Sequence, residues 1–225
     1  MMNILYPLIF LVIGYLIGSF PTAYFVVKKF TGRDIRQEET GNVGALNTAR
    51  ATGKFYLFLL VFLVDAFKGY LGVYLPHLFT SLGYDLKFAI IFGGFGVVLG
   101  HCYSIYFKLK DGKFAGGKAI ASLFGILAGV SVVKLFIPWG IAMLIPIILT
   151  KNFFLGQFTG TLTLPFIGYF LFPEYFLLTV LCSIPVFIKQ WSRVIPMLKG
   201  KEPRWYFTPH RSGAGFSKKS GSKKK

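Results

Sequence analysis

The sequence predicts an all-α protein: a polytopic membrane helix bundle of about seven transmembrane helices, N-terminus outside and C-terminus cytoplasmic. Three observations carry that prediction. The 225 residues are 54% hydrophobic and only 15% charged, with 26 Phe and 12 Tyr, more aromatic surface than a soluble domain of this size can bury. Apolar runs near the roughly 20 residues that cross a bilayer recur along the chain. The basic residues between those runs fall on alternate connectors.

The first span, residues 4–27, carries Pro21 inside its end. It has no basic segment ahead of it and no small-residue cleavage site, so it reads as a retained helix and not a removed signal peptide. Spans 55–76 and 88–107 follow. Residues 119–150 are apolar except for Lys134. They are too long for one helix and short for two full ones, and predict two short helices meeting near Lys134. Residues 158–172, and 174–188 with an extension to 198, complete the seven. The N-terminus-outside arrangement makes residues 28–54, 108–118, 151–157 and everything after 188 cytoplasmic. Of the 25 Lys and Arg, only Lys68, Lys87 and Lys134 then lie elsewhere.

The net charge of +17 is therefore mainly a topology signal. It is spread over loops between spans, which argues against a nucleic-acid partner. The terminal SKKSGSKKK is either a disordered tail near anionic headgroups or an artificial extension. The chain divides into a membrane domain, 1–204, and a basic cytoplasmic tail, 205–225. Cys102 and Cys182 lie in or beside apolar spans and read as small buried hydrophobes. No His, Cys and carboxylate cluster suggests a metal.

Three stretches carry polar chemistry on or near the cytoplasmic side. The first is GRDIRQEETGNVGALNTAR, residues 32–50. Gly41 and Gly44 let backbone amides approach a ligand closely. Thr40, Asn42 and Asn47 offer neutral donors, and Arg50 offers a fork suited to phosphate. Asn47 and Arg50, three apart, share a face once a helix begins. The second is KLKDGKFAGGKAIAS, residues 108–122. Gly112 and the Gly117-Lys118 pair match most of a nucleotide-binding loop, but Ala119 stands where a hydroxyl would hold magnesium and no strand precedes it. A nucleotide-hydrolysing fold is excluded. Gly116 and Gly117 amides at a helix start, with the Lys118 charge, still suit an anion. The third is DAFKG, residues 65–69, which places Asp65 and Lys68 at i and i+3 inside a span, where an ion pair facing the bundle interior is expected. Structural and functional roles for that pair both remain open. His101, ending the third span, reads first as a structural group.

Together, GSFPTAYFVVKKFTGRDIR, TGNVGALNTARATGK, VDAFKG, LGH and GGKAIA resemble the bacterial acyl-phosphate-dependent glycerol-3-phosphate acyltransferases. The resemblance runs in order from residue 14 to about 122, with a weaker echo at LKGKEPR, 198–204. It implies a multi-pass protein of the bacterial inner (plasma) membrane whose active site faces the cytoplasm. Acyl phosphate and glycerol 3-phosphate would be its substrates, lysophosphatidic acid its product, membrane lipid its surroundings, and no cofactor would be needed. The family's serine, asparagines and arginine in the first connector match Thr40, Asn42, Asn47 and Arg50, giving catalytic and phosphate-handling roles to them and to Lys118. Its Gly-Gly-Lys-Gly loop matches Gly116, Gly117, Lys118 and Ala119.

The departures are specific. Glu39 replaces a usual glycine and Leu46 a usual threonine. The family's last His and Asn fall at Gln190 and Arg193, which are expected to bind substrate or phosphate in their place. The connector in which the family carries a functional serine reads KNFFLGQF, without one. A divergent homologue acting on another phosphorylated polyol, or an inactive one, is the alternative. An anionic-solute transporter fits less well, because the polar motifs cluster on one side and no inverted repeat is visible.

Overall fold

The computed structural model describes residues 5–200; the basic tail and Glu202 lie outside the described residues. Among the described residues there are ten α-helices. They are α1 (Leu5–Ser19), α2 (Thr22–Thr31), α3 (Ala45–Thr52), α4 (Phe55–Tyr74), α5 (Leu86–Cys102), α6 (Ile105–Asp111), α7 (Ile120–Val130), α8 (Ile137–Thr150), α9 (Phe153–Leu171) and α10 (Phe176–Leu198). Four stretches are long and apolar enough to cross a membrane: Leu5–Thr31, Phe55–Leu82, Val132–Thr150 and Pro173–Leu198. Helices α5 and α7 are apolar but shorter. At 1.5 Å per residue α7 reaches about 16 Å, roughly half of a hydrocarbon core.

The expected meeting of two helices near Lys134 is present. Ser131 leaves the helical region and accepts from the Lys134 amide through its hydroxyl, and Val132–Phe136 forms one π-helical turn before α8. The expected first span differs: it breaks at Phe20–Pro21 into α1 and α2. Proline disfavours helical geometry in the residue before it and supplies no amide proton, so carbonyls at the end of α1 lose their helical partners. Side chains from later in the chain take their place. Ser104 Oγ donates to Ser19 O at 2.5 Å, and Lys68 Nζ donates to Phe20 O at 2.6 Å. In a membrane such carbonyls cannot turn to water, so these two donors are what make the break tolerable.

The helices meet along seams of small residues. A Cβ added at Gly14 or Gly18 of α1 would strike the α5 backbone at Gly93 and Val97. One at Gly69 of α4 would strike Ser122 O of α7. Close approach of this kind replaces the hydrophobic drive that lipid removes. The main apolar core then fills the space between α5, α7, α8, α9 and α10, with Leu123, Ile126, Leu135, Trp139, Leu164 and Leu178 fully buried. The opposite surface, including Leu8, Leu63, Ile148 and Phe170, is exposed, as a lipid-facing surface requires.

Candidate active site

Asn47 organises the first connector. It sits on α3, buried, three residues after the helix begins at Gly44. Its Oδ1 accepts from the Thr40 amide at 3.2 Å and from Thr40 Oγ1 at 3.0 Å. Its Nδ2 donates to Ile35 O at 3.3 Å and Glu38 O at 3.1 Å. Both amide hydrogens are thus directed at backbone, so the side chain expected to offer a donor to a ligand instead holds the loop that carries Thr40 and Asn42. Outside this clamp, Arg36 bridges Asp34 at 2.6 Å and Asp111 at 2.6 Å, and lies over the Phe107 ring at 4.5 Å. The Arg36 guanidinium holds the Asp34 carboxyl below its ordinary value, against the opposing effect of partial burial.

The second loop folds back on the end of α5. Ser104 N donates to Ala115 O at 2.9 Å and Gly117 N to His101 O at 3.0 Å. The Gly117 amide, expected to face an anion, is therefore taken by α5. The two glycines serve a different purpose. A Cβ at Gly116 would clash with the His101 and Cys102 carbonyls, and one at Gly117 with the His101 ring and Val43 O. Their smallness lets the segment carrying Lys118 lead into α7 against both α5 and the first connector.

The third motif forms the expected ion pair. Lys68 Nζ lies 2.7 Å from Asp65 Oδ1, with both side chains almost fully buried. Thr22 Oγ1 also donates to Asp65 Oδ1 at 3.0 Å. The pair therefore ties α4 to both sides of the Phe20–Pro21 break.

These elements enclose one cavity of about 350 Å³. Thr40, Asn42, Gly44, Asn47, Arg50, Asp65, His101, Lys118 and Arg193 line it, which gathers five separate sequence segments. Much of its remaining wall is apolar: Phe58, Leu59 and Phe62 of α4, Phe124 of α7, Met143, Leu144 and Ile147 of α8. Gln190 does not line it. That amide is fully buried between α9 and α10, where Nε2 donates to Thr161 Oγ1 at 3.0 Å and to Gln157 O at 3.4 Å. Gln190, expected at the substrate, thus makes a contact that joins α9 and α10. Gly41 lies off the cavity in a left-handed turn, and Gly116 lines a small adjoining void. Lys68 reaches the site only through Asp65.

Among the lining residues that the sequence motifs do not point to are Phe154 and Gln157 of α9. Both lie in KNFFLGQF, the connector that lacks a serine. Gln157 was detectable as the one amide in an apolar helix, in step with Gly160 and Thr161 on the face turned to α8 and α10.

A helix bundle with membrane-length apolar stretches and a cavity lined by both cationic and apolar side chains defines the class: an integral membrane protein with an amphipathic cavity. The chain matches the glycerol-3-phosphate acyltransferase family model over residues 8–200. It is 34% identical over 204 residues to a glycerol-3-phosphate acyltransferase of Staphylococcus aureus (strain Newman), covering 88% of this chain and 96% of the relative. Its fold is similar to PlsY (YgiH), an integral membrane glycerol 3-phosphate acyltransferase, in the glycerol 3-phosphate form, with a TM-score of 0.76 and 26% identity over 89% of this chain and 96% of that one. The lysophosphatidic acid form of PlsY gives a TM-score of 0.72 over the same coverage. The chain belongs to the glycerol-3-phosphate acyltransferase family.

Proposed function

We propose that the chain transfers a fatty acyl group from acyl phosphate to glycerol 3-phosphate, giving lysophosphatidic acid and inorganic phosphate. One observation carries this reading: Arg50, Lys118 and Arg193, from three separate elements, line the same cavity as the apolar arm of Phe58, Phe62, Phe124, Met143 and Ile147. Two phosphate-bearing substrates need several cations at one end, and an acyl chain needs an apolar slot reaching the same point.

The chemistry asks little of the protein. Acyl phosphate is already activated. The acceptor hydroxyl oxygen attacks the acyl carbonyl carbon, the bond from that carbon to the phosphate oxygen breaks, and phosphate leaves with the electron pair. The hydroxyl proton ends on phosphate, with substrate phosphate as the base. Lys118 and Arg50 hold phosphate groups so that hydroxyl and carbonyl meet, and the same donors stabilise the charge that develops. Thr40 and Asn42 sit at the mouth, on the loop clamped by Asn47. Arg193 takes the acceptor phosphate in the position where the family carries Asn.

The same reading sets the topology: seven spans, N-terminus outside, cavity mouth toward the cytoplasm of the bacterial inner membrane. The distribution of Lys and Arg supports it. The test is purified protein with acyl phosphate and glycerol 3-phosphate, read by mass spectrometry. Lysophosphatidic acid and phosphate in equal amounts are expected, with Lys118→Ala below a tenth of wild type. Product with another polyol phosphate but not with glycerol 3-phosphate would replace the acceptor. No product with any acceptor would overturn the reading.

A further inference from the structure

Lysine is a poor choice for a fixed point charge unless something holds its flexible stem. The Lys118 backbone is well fixed, by the Gly117 amide on His101 O and by the turn at Ala119. Those contacts do not reach Nζ. That atom lies over the ring of Phe154, 4.5 Å from its centroid. The ring is itself anchored. Phe154 is in the first turn of α9, where Asn152 Oδ1 caps its amide at 3.0 Å and the Leu155 amide at 3.1 Å. It is 6% exposed and stacks on Phe158 with centroids 6.0 Å apart.

We propose that Phe154 is a positioning residue for Lys118, fixing the ammonium at the phosphate end of the cavity through the face of its ring. The inference rests on the acyltransferase reading for its substrates. It reaches a residue that neither the motifs nor the family resemblance singles out. The physical reason for an aromatic face is its lack of formal charge. A carboxylate in this place would hold Lys118 equally well but would cancel the charge that a phosphate must meet. A ring attracts the ammonium through its quadrupole and leaves the net charge intact. Helix α9 thereby becomes part of the site without donating a hydrogen bond to substrate.

The test replaces Phe154 in the full-length protein by 4-fluoro-, 3,5-difluoro- and 3,4,5-trifluorophenylalanine. These keep the shape of the ring and weaken its face stepwise. Two responses are read: kcat/KM with acyl phosphate and glycerol 3-phosphate, and the rise in melting temperature produced by inorganic phosphate. Both should fall in order of fluorination while the melting temperature without phosphate stays constant. Phe154→Leu should lie at the bottom, about three- to thirtyfold down in kcat/KM, the range of a desolvated cation–π contact. Phe154→Tyr, which keeps an aromatic face, should recover most of what Phe154→Leu loses. A flat series, or Phe154→Leu equal to wild type, overturns the proposal. Wild type that forms no lysophosphatidic acid overturns the acyltransferase reading alone, because the phosphate response still decides the role of the ring.

Discussion

Replacing Asp65 by Asn separates an ion pair from a network. Lys68 Nζ has two partners, Asp65 Oδ1 at 2.7 Å and Phe20 O at 2.6 Å, and Asp65 Oδ1 has a second, Thr22 Oγ1 at 3.0 Å. Removing one charge from a buried pair costs about 3–5 kcal/mol. Asp65→Asn should therefore lower the melting temperature of the detergent-solubilised protein, with reduced yield. For a self-contained pair, Asp65→Leu with Lys68→Met would restore stability, since apolar replacement of a buried pair is often neutral or better. Here the double replacement also strands the Thr22 hydroxyl, at about 1–3 kcal/mol, while the Phe20 carbonyl keeps the Thr22 amide at 3.1 Å. The double variant should thus remain about 1–3 kcal/mol below wild type, and adding Thr22→Val should return most of that. The assay is a thermal melt followed by size-exclusion chromatography, with activity measured on the same samples. A double variant as stable as wild type would refute the network. An Asp65→Asn protein of wild-type stability but without activity would make Asp65, which lines the cavity, a functional group.

Three further outcomes follow from other parts of the molecule. Arg193→Ala should raise the KM of the acceptor about tenfold to a hundredfold with little change in kcat, as expected for a charge-assisted contact common to ground and transition states; unchanged kinetics would return Arg193 to the basic belt. Glu39 occupies left-handed backbone, at φ of 46°, so Glu39→Gly should stabilise by up to about 1 kcal/mol in thermal melts, with activity retained. Asp34, held below its ordinary value of 3.8 by Arg36, stabilises the folded connector above that pH and loses its contribution as pH falls through its lower folded value; the melting-temperature deficit of Asp34→Asn should be present at pH 7 and should shrink below about pH 4.

The parts of this molecule that were legible in the sequence are those with a local or periodic signature. The membrane-length stretches Leu5–Thr31, Phe55–Leu82, Val132–Thr150 and Pro173–Leu198 follow from hydropathy, and the divided 119–150 region follows from its length and from Lys134. The Asp65–Lys68 pair follows from helical spacing and the cost of isolated charge in lipid. The first connector was legible as a site because small and polar residues between greasy spans have few other uses. What escaped was set by contacts between distant segments. Asn47 looked like a ligand donor because nothing local reveals that Ile35 O and Glu38 O lie within reach of its amide. The Gly117 amide looked available because the end of α5, which accepts it, is 16 residues earlier in the chain. Gln190 looked like a binding residue because its position in a motif says nothing of which way α10 turns it.

Glu39 and Ala119 connect the two kinds of evidence. In the sequence they are departures from glycines that the family usually carries, and a departure alone suggests altered function. In the structure both residues keep a backbone conformation that glycine adopts without strain and other residues adopt at a cost. The turns that lead to Thr40 and Lys118 at the cavity therefore hold a geometry that their own side chains disfavour. A loop that had lost its role would be expected to relax out of such a conformation, because nothing would oppose the relief of strain. Strain persisting on both sides of the phosphate end, in loops clamped by Asn47 and by His101 O, argues that the geometry of this cavity is being held for use.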